Sequence, residues 1–332
     1  MNFDNFTLLV TCFNKQDYIP EFCENVVPFL AGGANVVIVD DGSSDNSVQL
    51  LKNINAKYEN CLLLQTTNCG SAAARNLSLE QLRTEFFMFW DIDDGLDADS
   101  VSTILEEFKQ SKADFAVANY VTMPENNSGQ MPKEFKAFTL LNIASISEEV
   151  LLAMGYWRYV YRKSVVRNEL SMRFIPTRDE LNNSGFILDD LFWVLELALQ
   201  RKILLITPPE IVTYRYRTHS TQDSLAWERF ENQVIDLPYA LVVFDAYLRD
   251  KNLINRKVQI KLYSSTLKKH YLYLSLFKKL KFFVNVSRAS ISSLNLAITY
   301  TTILPSLIVG LVFAWMRSLR STARGIAKDA SH

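Results

Sequence analysis

Short apolar runs alternate with amphipathic stretches over about the first 120 residues of the chain. The apolar runs predict buried strands, and they lie at residues 6–12, 36–39, 61–64, 86–90 and 115–118. Segments of roughly 10 to 15 residues with helical spacing separate the runs, and Ser44-Asp45-Asn46 is a start signal for one such helix. Strands connected by helices are typical of a parallel sheet, so this region is expected to be a doubly wound α/β unit.

Polar side chains gather where four of the predicted strands end. In a doubly wound sheet the ligand lies beyond the carboxyl ends of the strands, where the chain leaves each strand for the next loop. These strand exits are residues 11–14, 40–43, 67–70 and 91–94. We therefore expect the functional site at this edge of the sheet.

The exit after the second strand carries two adjacent carboxylates, Asp40 and Asp41. Carboxylates placed directly after an apolar strand must find water or hydrogen-bond donors. One interpretation is a turn followed by a helix cap. The other is a carboxylate that accepts a hydrogen bond from a nucleobase N–H, and the pattern alone leaves both open.

The exit after the fourth strand carries three carboxylates, Asp91, Asp93 and Asp94. Like charges this close repel and raise one another's pKa unless a cation joins them. A hard cation, Mn²⁺ or Mg²⁺, held by one or two carboxylates and by substrate phosphates, would resolve the repulsion. A solvated acidic loop before the helix that follows Asp97 is the alternative, but it does not explain the apolar strand in front.

Residues 6 to about 220 resemble the family 2 glycosyltransferases of the GT-A fold. The resemblance rests on four segments in the family's order, at residues 9–15, 39–45, 68–76 and 90–94. The order Cys69-Gly70-Ser71 departs from the family pattern, which affects packing more than chemistry. The resemblance implies a nucleotide-sugar donor, most often a UDP-sugar, and a divalent metal ion.

The resemblance also implies the residues that contact the donor. Thr11 and Phe13 would border the nucleobase and Asp41 would contact it, while Arg75 would lie on a helix beneath the nucleotide. A surface ion pair is the alternative for Arg75. The full set implied to bind the nucleotide-sugar is Thr11, Phe13, Asn14, Asp41, Arg75, Asn76, Asp91 and Asp93.

For the metal ion the resemblance implies Asp94 as the principal ligand, with Asp93 facing the ribose and close enough to share the metal. Arg217 and His219 leave a predicted strand together, which suits a diphosphate or a metal. We therefore include His219 among the candidate metal ligands and Arg217 among the candidate acceptor-site residues. A purely structural histidine is the alternative.

Asp189 and Asp190 are the candidates for the catalytic base. They lie at the N-terminus of a predicted helix, whose dipole favours ionised carboxylates. The pair resembles the family's Glu-Asp pair, so Asp190 matches the base, and helix capping is the alternative. A single base implies direct displacement with inversion at the anomeric carbon, a conclusion that rests on the family pattern. A second carboxylate at Asp179, Glu180 or Asp223 stays open.

The predicted acceptor half contains Trp157, whose ring could stack on a sugar. A tryptophan of the core is the alternative. Together these expectations place a GT-A catalytic domain at residues 1–225, with a nucleotide-sugar half at 1–120 and an acceptor half at 121–225.

Residues 226–332 are expected to be a helical region that associates with a membrane. Apolar positions between 260 and 274 recur at helical spacing beside many lysines, which suits an anionic membrane surface, although packing on the catalytic domain is the alternative. Residues 294–316 are nearly free of charge, but basic residues flank both sides. A single crossing would export one basic cluster, so we expect peripheral or monotopic attachment at the cytoplasmic face.

Composition narrows the classes of partner. The chain has 35 basic and 36 acidic residues in 332, so no overall field attracts nucleic acid. Its four cysteines show no metal-ligand spacing and are expected to be reduced. The N-terminus lacks the pattern of a secretory signal.

The leading hypothesis is an inverting, metal-dependent glycosyltransferase that acts on a lipid-linked or membrane-associated saccharide. Nucleotidyl transfer to a sugar phosphate would need a glycine-rich loop after the first strand, and residues 11–15 contain no glycine. A non-catalytic, nucleotide-binding scaffold of a polysaccharide assembly complex is the remaining alternative.

Overall fold

The structure is a computed structural model that describes residues 1–123, 137–142, 155–167 and 203–218. It also describes scattered helical positions, at 193, 241–242, 260, 263, 267, 279, 282, 285–286, 298, 300, 303–304 and 307. The chain divides into two compact units. The first comprises Met1–Pro176 and Asp189–Ser220, and the second comprises Thr177–Leu188 and Thr221–His332.

The first unit alternates strands and helices over its first 110 or so residues. Its described strands are β1 Phe6–Cys12, β2 Asn35–Asp40, β3 Cys61–Gln65, β4 Phe86–Asp91, β5 Gly95–Leu96, β6 Phe115–Val117, β7 Asn119–Met123, β8 Thr139–Asn142, β9 Tyr159–Arg162, β10 Ile203–Ile206 and β11 Val212–Arg217. Its described helices are α1 Ile19–Ala31, α2 Ser47–Lys57, α3 Ser71–Glu80, α4 Ala98–Gln110 and α5 Ser164–Arg167, with a 3₁₀ turn at Tyr156–Arg158.

The main sheet has the order β3-β2-β1-β4-β9-β6-β10-β8. β3, β2, β1 and β4 are parallel, as expected for strands connected by helices. β9 runs antiparallel to both β4 and β6, and β8 runs antiparallel to β10. The predicted strands of the first 120 residues are confirmed and run in one direction, while β9 and β8, which follow them in the chain, make the whole sheet mixed.

The central strands are buried on both faces, which explains their continuous apolar runs. Leu8, Val10 and Trp90 belong to the core beneath α1, where the Trp90 ring packs against Phe22 at a centroid distance of 4.8 Å. The intervening residues of the same strands, such as Leu9 and Phe87, are also buried. A sheet covered on both sides can present polar groups only at its strand ends.

A small second sheet lies beyond the end of β4. It has the order β5-β11-β7, with β11 antiparallel to β5 and parallel to β7. Tyr214 of β11 pairs with Leu96 of β5, directly after the acidic turn at residues 91–94. This pairing places the strand that ends at Arg217 beside the predicted metal ligands.

In the second unit, the described positions of the predicted membrane-associating segments are helical, and half of them are buried. Tyr263 and Leu267 are among them, as are Ile303 and Leu307 in the apolar stretch 294–316. Their burial favours packing within the protein as the role of these side chains. None of the helical stretches among the described residues has the length and apolar character that a membrane crossing requires.

Candidate functional site

The strand registers bring the predicted exits together. Cys12 of β1 lies opposite Asp40 of β2, and Thr11 lies opposite Asp91 of β4. Because these strands are parallel, their carboxyl ends share one edge of the sheet. The edge predicted from the sequence to carry the site is therefore where these polar residues meet.

Asp40 is a turn residue. Its two carboxylate oxygens accept hydrogen bonds from the backbone N–H and the hydroxyl of Ser43, at 2.9 and 2.5 Å. The carboxylate is buried, and besides Ser43 of its own turn it is hydrogen-bonded by the thiol of Cys12 at the end of β1. The interpretation of this position as a turn residue is correct.

Asp41 instead holds the loop after β3. Its Oδ1 accepts from the backbone N–H of Cys69 at 2.7 Å and its Oδ2 accepts from that of Gly70 at 2.8 Å. The Thr66 hydroxyl donates to Oδ1 at 3.1 Å. With the Cys69 thiol, which also donates to Oδ1 at 3.1 Å, four donors fix this carboxylate at the start of α3, beside the end of β1, where the resemblance predicts the nucleobase.

The loop after β1 is tied to the loop after β2. Asn14 has a positive φ of 52°, and its side-chain oxygen accepts from the Ser44 backbone N–H at 2.8 Å. The Asn14 N–H donates to the Ser43 hydroxyl. Phe13, immediately before it, is 41% exposed, an unusual fraction for a phenylalanine and one that leaves its ring available to a planar ligand.

Asp91 ends β4 and is held by a tyrosine that the sequence reasoning missed. The Tyr156 hydroxyl lies 2.8 and 3.0 Å from its two oxygens, and the Thr11 hydroxyl donates at 3.3 Å. Arg75 Nη2 is 3.6 Å from the same carboxylate. Asp91 therefore joins β1, α3 and the 3₁₀ turn before β9.

Arg75 is not a surface residue, since it is only 8% exposed. Its guanidinium carbon lies 4.2 Å from the centroid of the Tyr156 ring, within cation–π distance. Asn76 follows it on α3 and is half-buried. The ion pair predicted as the alternative for Arg75 exists, but it is buried at the site.

Asp94 is buried beneath the acidic turn. Its Oδ2 accepts from the Tyr214 hydroxyl at 2.7 Å and its Oδ1 accepts from the Arg217 backbone N–H at 2.6 Å. Burial raises the pKa of Asp94 well above its usual value, the nearby charges of Asp93 and Asp91 raise it further, and these two hydrogen bonds oppose the rise. Asp94 thus attaches the acidic turn to β11.

Asp93 differs from Asp94 because cationic groups contact it. Lys15 Nζ lies 2.5 Å from Asp93 Oδ2, and Arg217 Nε donates to the Asp93 backbone oxygen at 2.8 Å. Arg217 Nη2 also donates to both carboxylate oxygens of Glu21 on α1, at 2.7 Å each. Arg217 therefore links Asp93 to Glu21 of α1. Its contact with the acceptor stays a prediction.

Trp157 lies in an aromatic stack. Its ring centroid is 4.5 Å from that of Tyr214 and 5.3 Å from that of Tyr216, and Tyr120 meets it edge-on at 4.9 Å. The tryptophan is half-buried. These contacts favour a packing role behind the Asp91–Asp94 turn, while sugar stacking stays a prediction.

The carboxylates at this edge differ in how well they fit a site for a divalent metal ion. Across the described ranges, no three His, Cys, Asp or Glu side chains group closely enough to hold one by themselves. Mg²⁺-type sites, however, need only one or two carboxylates when substrate phosphates complete them. Asp93 already binds a cationic ammonium, so it fits such a site, whereas both oxygens of Asp94 accept hydrogen bonds from the protein.

Three predicted residues, Asp189, Asp190 and His219, lie outside the described residues. The structure also brings two residues to the shared edge that the sequence did not indicate, Lys15 and Tyr156. Lys15 could have been found, because it directly follows Asn14 at the exit of β1. Nothing in the sequence distinguishes Tyr156 from the other tyrosines near it.

Comparisons with known proteins agree with this architecture. Residues 7–168, about half of the chain, match the family described as glycosyl transferase family 2. The chain is 28% identical over 123 residues to glycosyltransferase GlyA of Streptococcus pneumoniae, which covers 37% of this chain and 18% of GlyA. It is 26% identical over 254 residues to the putative glycosyltransferase EpsH of Bacillus subtilis, covering 74% of this chain and 70% of EpsH.

Among solved structures, S. aureus TarS 1-349 in complex with UDP-GlcNAc superposes with a TM-score of 0.55 over 92% of each chain, at 15% identity. This likeness shows a shared α/β fold of the GT-A type. The chain spans less than a fifth of the length of GlyA.

Proposed function

Because this chain belongs to glycosyl transferase family 2, we propose that it transfers a sugar from a nucleotide-sugar, with UDP as the nucleotide, to a hydroxyl of a membrane-associated glycan or glycolipid. The observation that carries the donor half of this proposal is the meeting of Asp41, Arg75, Asp91 and Asp93 at one edge of the sheet. TarS, which has the same fold, was solved with UDP-GlcNAc.

In the proposed donor complex, each group at this edge has a distinct task. The Phe13 ring borders the base, and Asp41, held by Cys69 and Gly70, accepts from a base N–H. Arg75 supplies positive charge beneath the nucleotide, and Asp91 orients that guanidinium. A preorganised pocket of this kind needs little rearrangement to bind the donor.

We propose that Asp93 holds a divalent cation, Mn²⁺ or Mg²⁺, with the donor phosphates, and that Asp94 supports the turn from beneath. Such a metal, when bound, acts as a Lewis acid that stabilises charge on the departing diphosphate. The expectation from the resemblance, with Asp94 as the principal ligand and His219 as a further one, belongs to the same proposal. Asp94 would use lone pairs left over from its bonds to Tyr214 and Arg217.

The donor site is tested by thermal unfolding with UDP, UMP and GDP, each with and without Mn²⁺. Saturation at about a hundred times the Kd stabilises a protein by about 2.7 kcal/mol, which raises Tm by several degrees. We expect the largest rise with UDP and Mn²⁺ together, and a much smaller one in Asp41→Asn. If no nucleotide stabilises the protein, the donor-site assignment is wrong.

For the reaction itself we propose Asp190 as the base that takes the acceptor proton, with inversion at the anomeric carbon. Asp190→Asn should lower transfer by about 10² to 10⁴, because general-base catalysis contributes about that much, while leaving UDP binding unchanged. Asp99→Asn, at an exposed position in the first turn of α4, is the control and should retain transfer, measured as UDP release in the presence of a membrane acceptor fraction. Equal activity of Asp190→Asn and the parent protein would remove Asp190 as the base.

We also propose that the second unit brings the enzyme to the cytoplasmic face of a membrane. The basic residues between 261 and 281 other than Lys279, which is buried, carry this proposal, with peripheral rather than inserted contact because Tyr263 and Leu267 are buried. The protein should float with vesicles containing anionic lipid, and less so with neutral vesicles or in high salt. Equal flotation with both vesicle types would contradict an electrostatic attachment.

A further inference from the structure

The residues around Asp93 form a cationic enclosure, which we define as Lys15, Tyr18, Asp93 and Arg217. Lys15 Nζ and the Arg217 guanidinium carbon lie 5.6 and 5.5 Å from the centroid of the Tyr18 ring. One cation contacts the Asp93 carboxylate and the other its backbone oxygen. The proposed metal ligand is thus already neutralised before any divalent cation arrives.

The two cations differ in how firmly they are held. Arg217 is bound by both oxygens of Glu21 and by the Asp93 carbonyl, and its own backbone N–H donates to Asp94. Lys15 reaches Asp93 through a flexible four-carbon stem from the loop after β1, whereas Arg217 carries a planar guanidinium at a similar exposure, 24% against 23%. Lys15 is therefore the cation that can move while Arg217 stays in place.

A divalent cation on Asp93 would lie close to the Lys15 ammonium, and like charges at this separation repel strongly in a partly buried site. Metal binding to Asp93 therefore requires Lys15 to leave. A donor diphosphate supplies the negative charge that a displaced ammonium needs, at the same edge of the sheet. The same movement would let Lys15 stabilise the diphosphate together with the metal.

We infer that Lys15 occupies the cation position on Asp93 in the donor-free protein and transfers to the diphosphate when metal and nucleotide bind together. This inference rests on the proposed function of the site. It makes the affinities for divalent metal and nucleoside diphosphate depend on each other. By linkage, each ligand must then strengthen the other by the same factor.

The test measures the affinity for Mn²⁺ from the electron paramagnetic resonance signal of free Mn²⁺, with and without UDP. Coupling energies of this type correspond to about 5- to 150-fold, so the parent protein should bind Mn²⁺ at least about tenfold more tightly with UDP. Lys15→Met should bind Mn²⁺ about tenfold more tightly than the parent without UDP, and UDP about tenfold more weakly with Mn²⁺. Lys15→Arg, which keeps the charge, should behave more like the parent.

Lys57→Met is the matched control, because Lys57 also lies over a tyrosine ring, 5.3 Å from the centroid of Tyr58, but at the end of α2. It should change neither affinity. Adding Asp93→Asn to Lys15→Met should abolish the gain in Mn²⁺ affinity. Thermal unfolding of each variant shows that it is folded.

Unchanged donor-free Mn²⁺ affinity in Lys15→Met would overturn the inference while leaving the donor site intact. A gain in Mn²⁺ affinity without a loss of UDP affinity would overturn the transfer of Lys15 to the diphosphate. Retention of the gain in Lys15→Met/Asp93→Asn would move the metal elsewhere. Absence of UDP binding to the parent protein with Mn²⁺ would instead contradict the proposed function.

Discussion

The turns after β2 and β4 both carry buried carboxylates at the same edge of the sheet, but they are held by partners from different distances along the chain. Asp40 is bound by Ser43, three residues away, and Asp41 by residues 25 to 29 positions away. Asp94 is bound by Tyr214 and Arg217, which lie 120 and 123 residues away. The first turn is completed by its neighbouring loop, whereas the second is completed only when β11 docks beside β5.

This difference suggests separate roles. A turn held by neighbouring backbone N–H groups is a rigid acceptor, which suits recognition of a base. A turn held by side chains from a distant strand connects donor binding to the position of that strand. Substitutions that remove partners from each turn can test whether the second turn depends on β11 in this way.

The largest effect is expected from Asp94→Ala. The change leaves the buried Arg217 N–H and Tyr214 hydroxyl short of a partner, so the free energy of unfolding should fall by about 3 kcal/mol in urea titrations. Asp99→Ala, at an exposed position in the first turn of α4, is the control and should change it by less than about 0.5 kcal/mol. Equal losses for both variants would show that the bonds to β11 contribute little.

The next effect concerns the first turn. Gly42 has a φ of 78°, and a Cβ added to it would lie 2.6 Å from the backbone nitrogen of Asn68. Gly42→Ala should therefore lower the free energy of unfolding by about 2 kcal/mol and weaken UDP binding through displacement of Asp41. Gly95→Ala, where the added Cβ meets the Arg215 side chain at 3.1 Å, should be milder. A milder Gly42→Ala would show that this turn tolerates distortion.

A smaller effect is expected from Tyr214→Phe, which removes the hydroxyl that donates to Asp94 and accepts from the Asp91 N–H. The loss should be about 1 to 2 kcal/mol. Combined with Asp94→Asn in a double-mutant cycle, the two changes should be non-additive by at least about 0.5 kcal/mol, because the residues are in contact. Additivity would mean that Tyr214 stabilises β11 independently of the acidic turn.

The smallest effect is a difference in thiol reactivity, with no cost in stability. Burial raises the pKa of Cys12 to about 12 and that of Cys61 to about 11, whereas Cys69 is exposed beside Asp41. At pH 8, Cys69 should be alkylated before Cys12 and Cys61: burial raises its pKa as well, but its thiol is exposed to the reagent and theirs are not. UDP with Mn²⁺ should slow that alkylation, as followed by mass spectrometry, while alkylation of Cys12 before Cys69 would contradict this order.

The raised pKa values of Cys12 and Cys61 also predict that the folded protein becomes less stable at high pH. The folded protein keeps Cys12 and Cys61 protonated. Their contribution to the free energy of unfolding is therefore complete below the ordinary thiol pKa of about 8.5. This contribution is lost as the pH rises toward the raised pKa values, about 11 for Cys61 and about 12 for Cys12. Thermal unfolding should therefore occur at lower temperature at pH 10 than at pH 8, by a smaller margin in Cys12→Ala.

Sequence reasoning located the sheet edge at which the polar strand ends meet, because its signals are local. The run Val36-Val37-Ile38-Val39 followed by Asp40 shows where a buried strand ends, and the structure confirms that end. The same reasoning did not predict β9, which enters the sheet between β4 and β6 and runs antiparallel to both. Strand direction there depends on how the intervening chain returns to the sheet, and no periodicity of residues 159–162 records it.

The sequence alone therefore determined the strands of the first 120 residues, the edge at which their polar ends meet and the resemblance to glycosyl transferase family 2. These follow from apolar periodicity and from residues adjacent to strand ends. Only the tertiary structure decided that Asp94 is enclosed by Tyr214 and Arg217 and that Asp93 faces Lys15. The chemistry of one carboxylate depends on burial and on donors from remote segments, which three identical aspartates in a row of four residues cannot reveal.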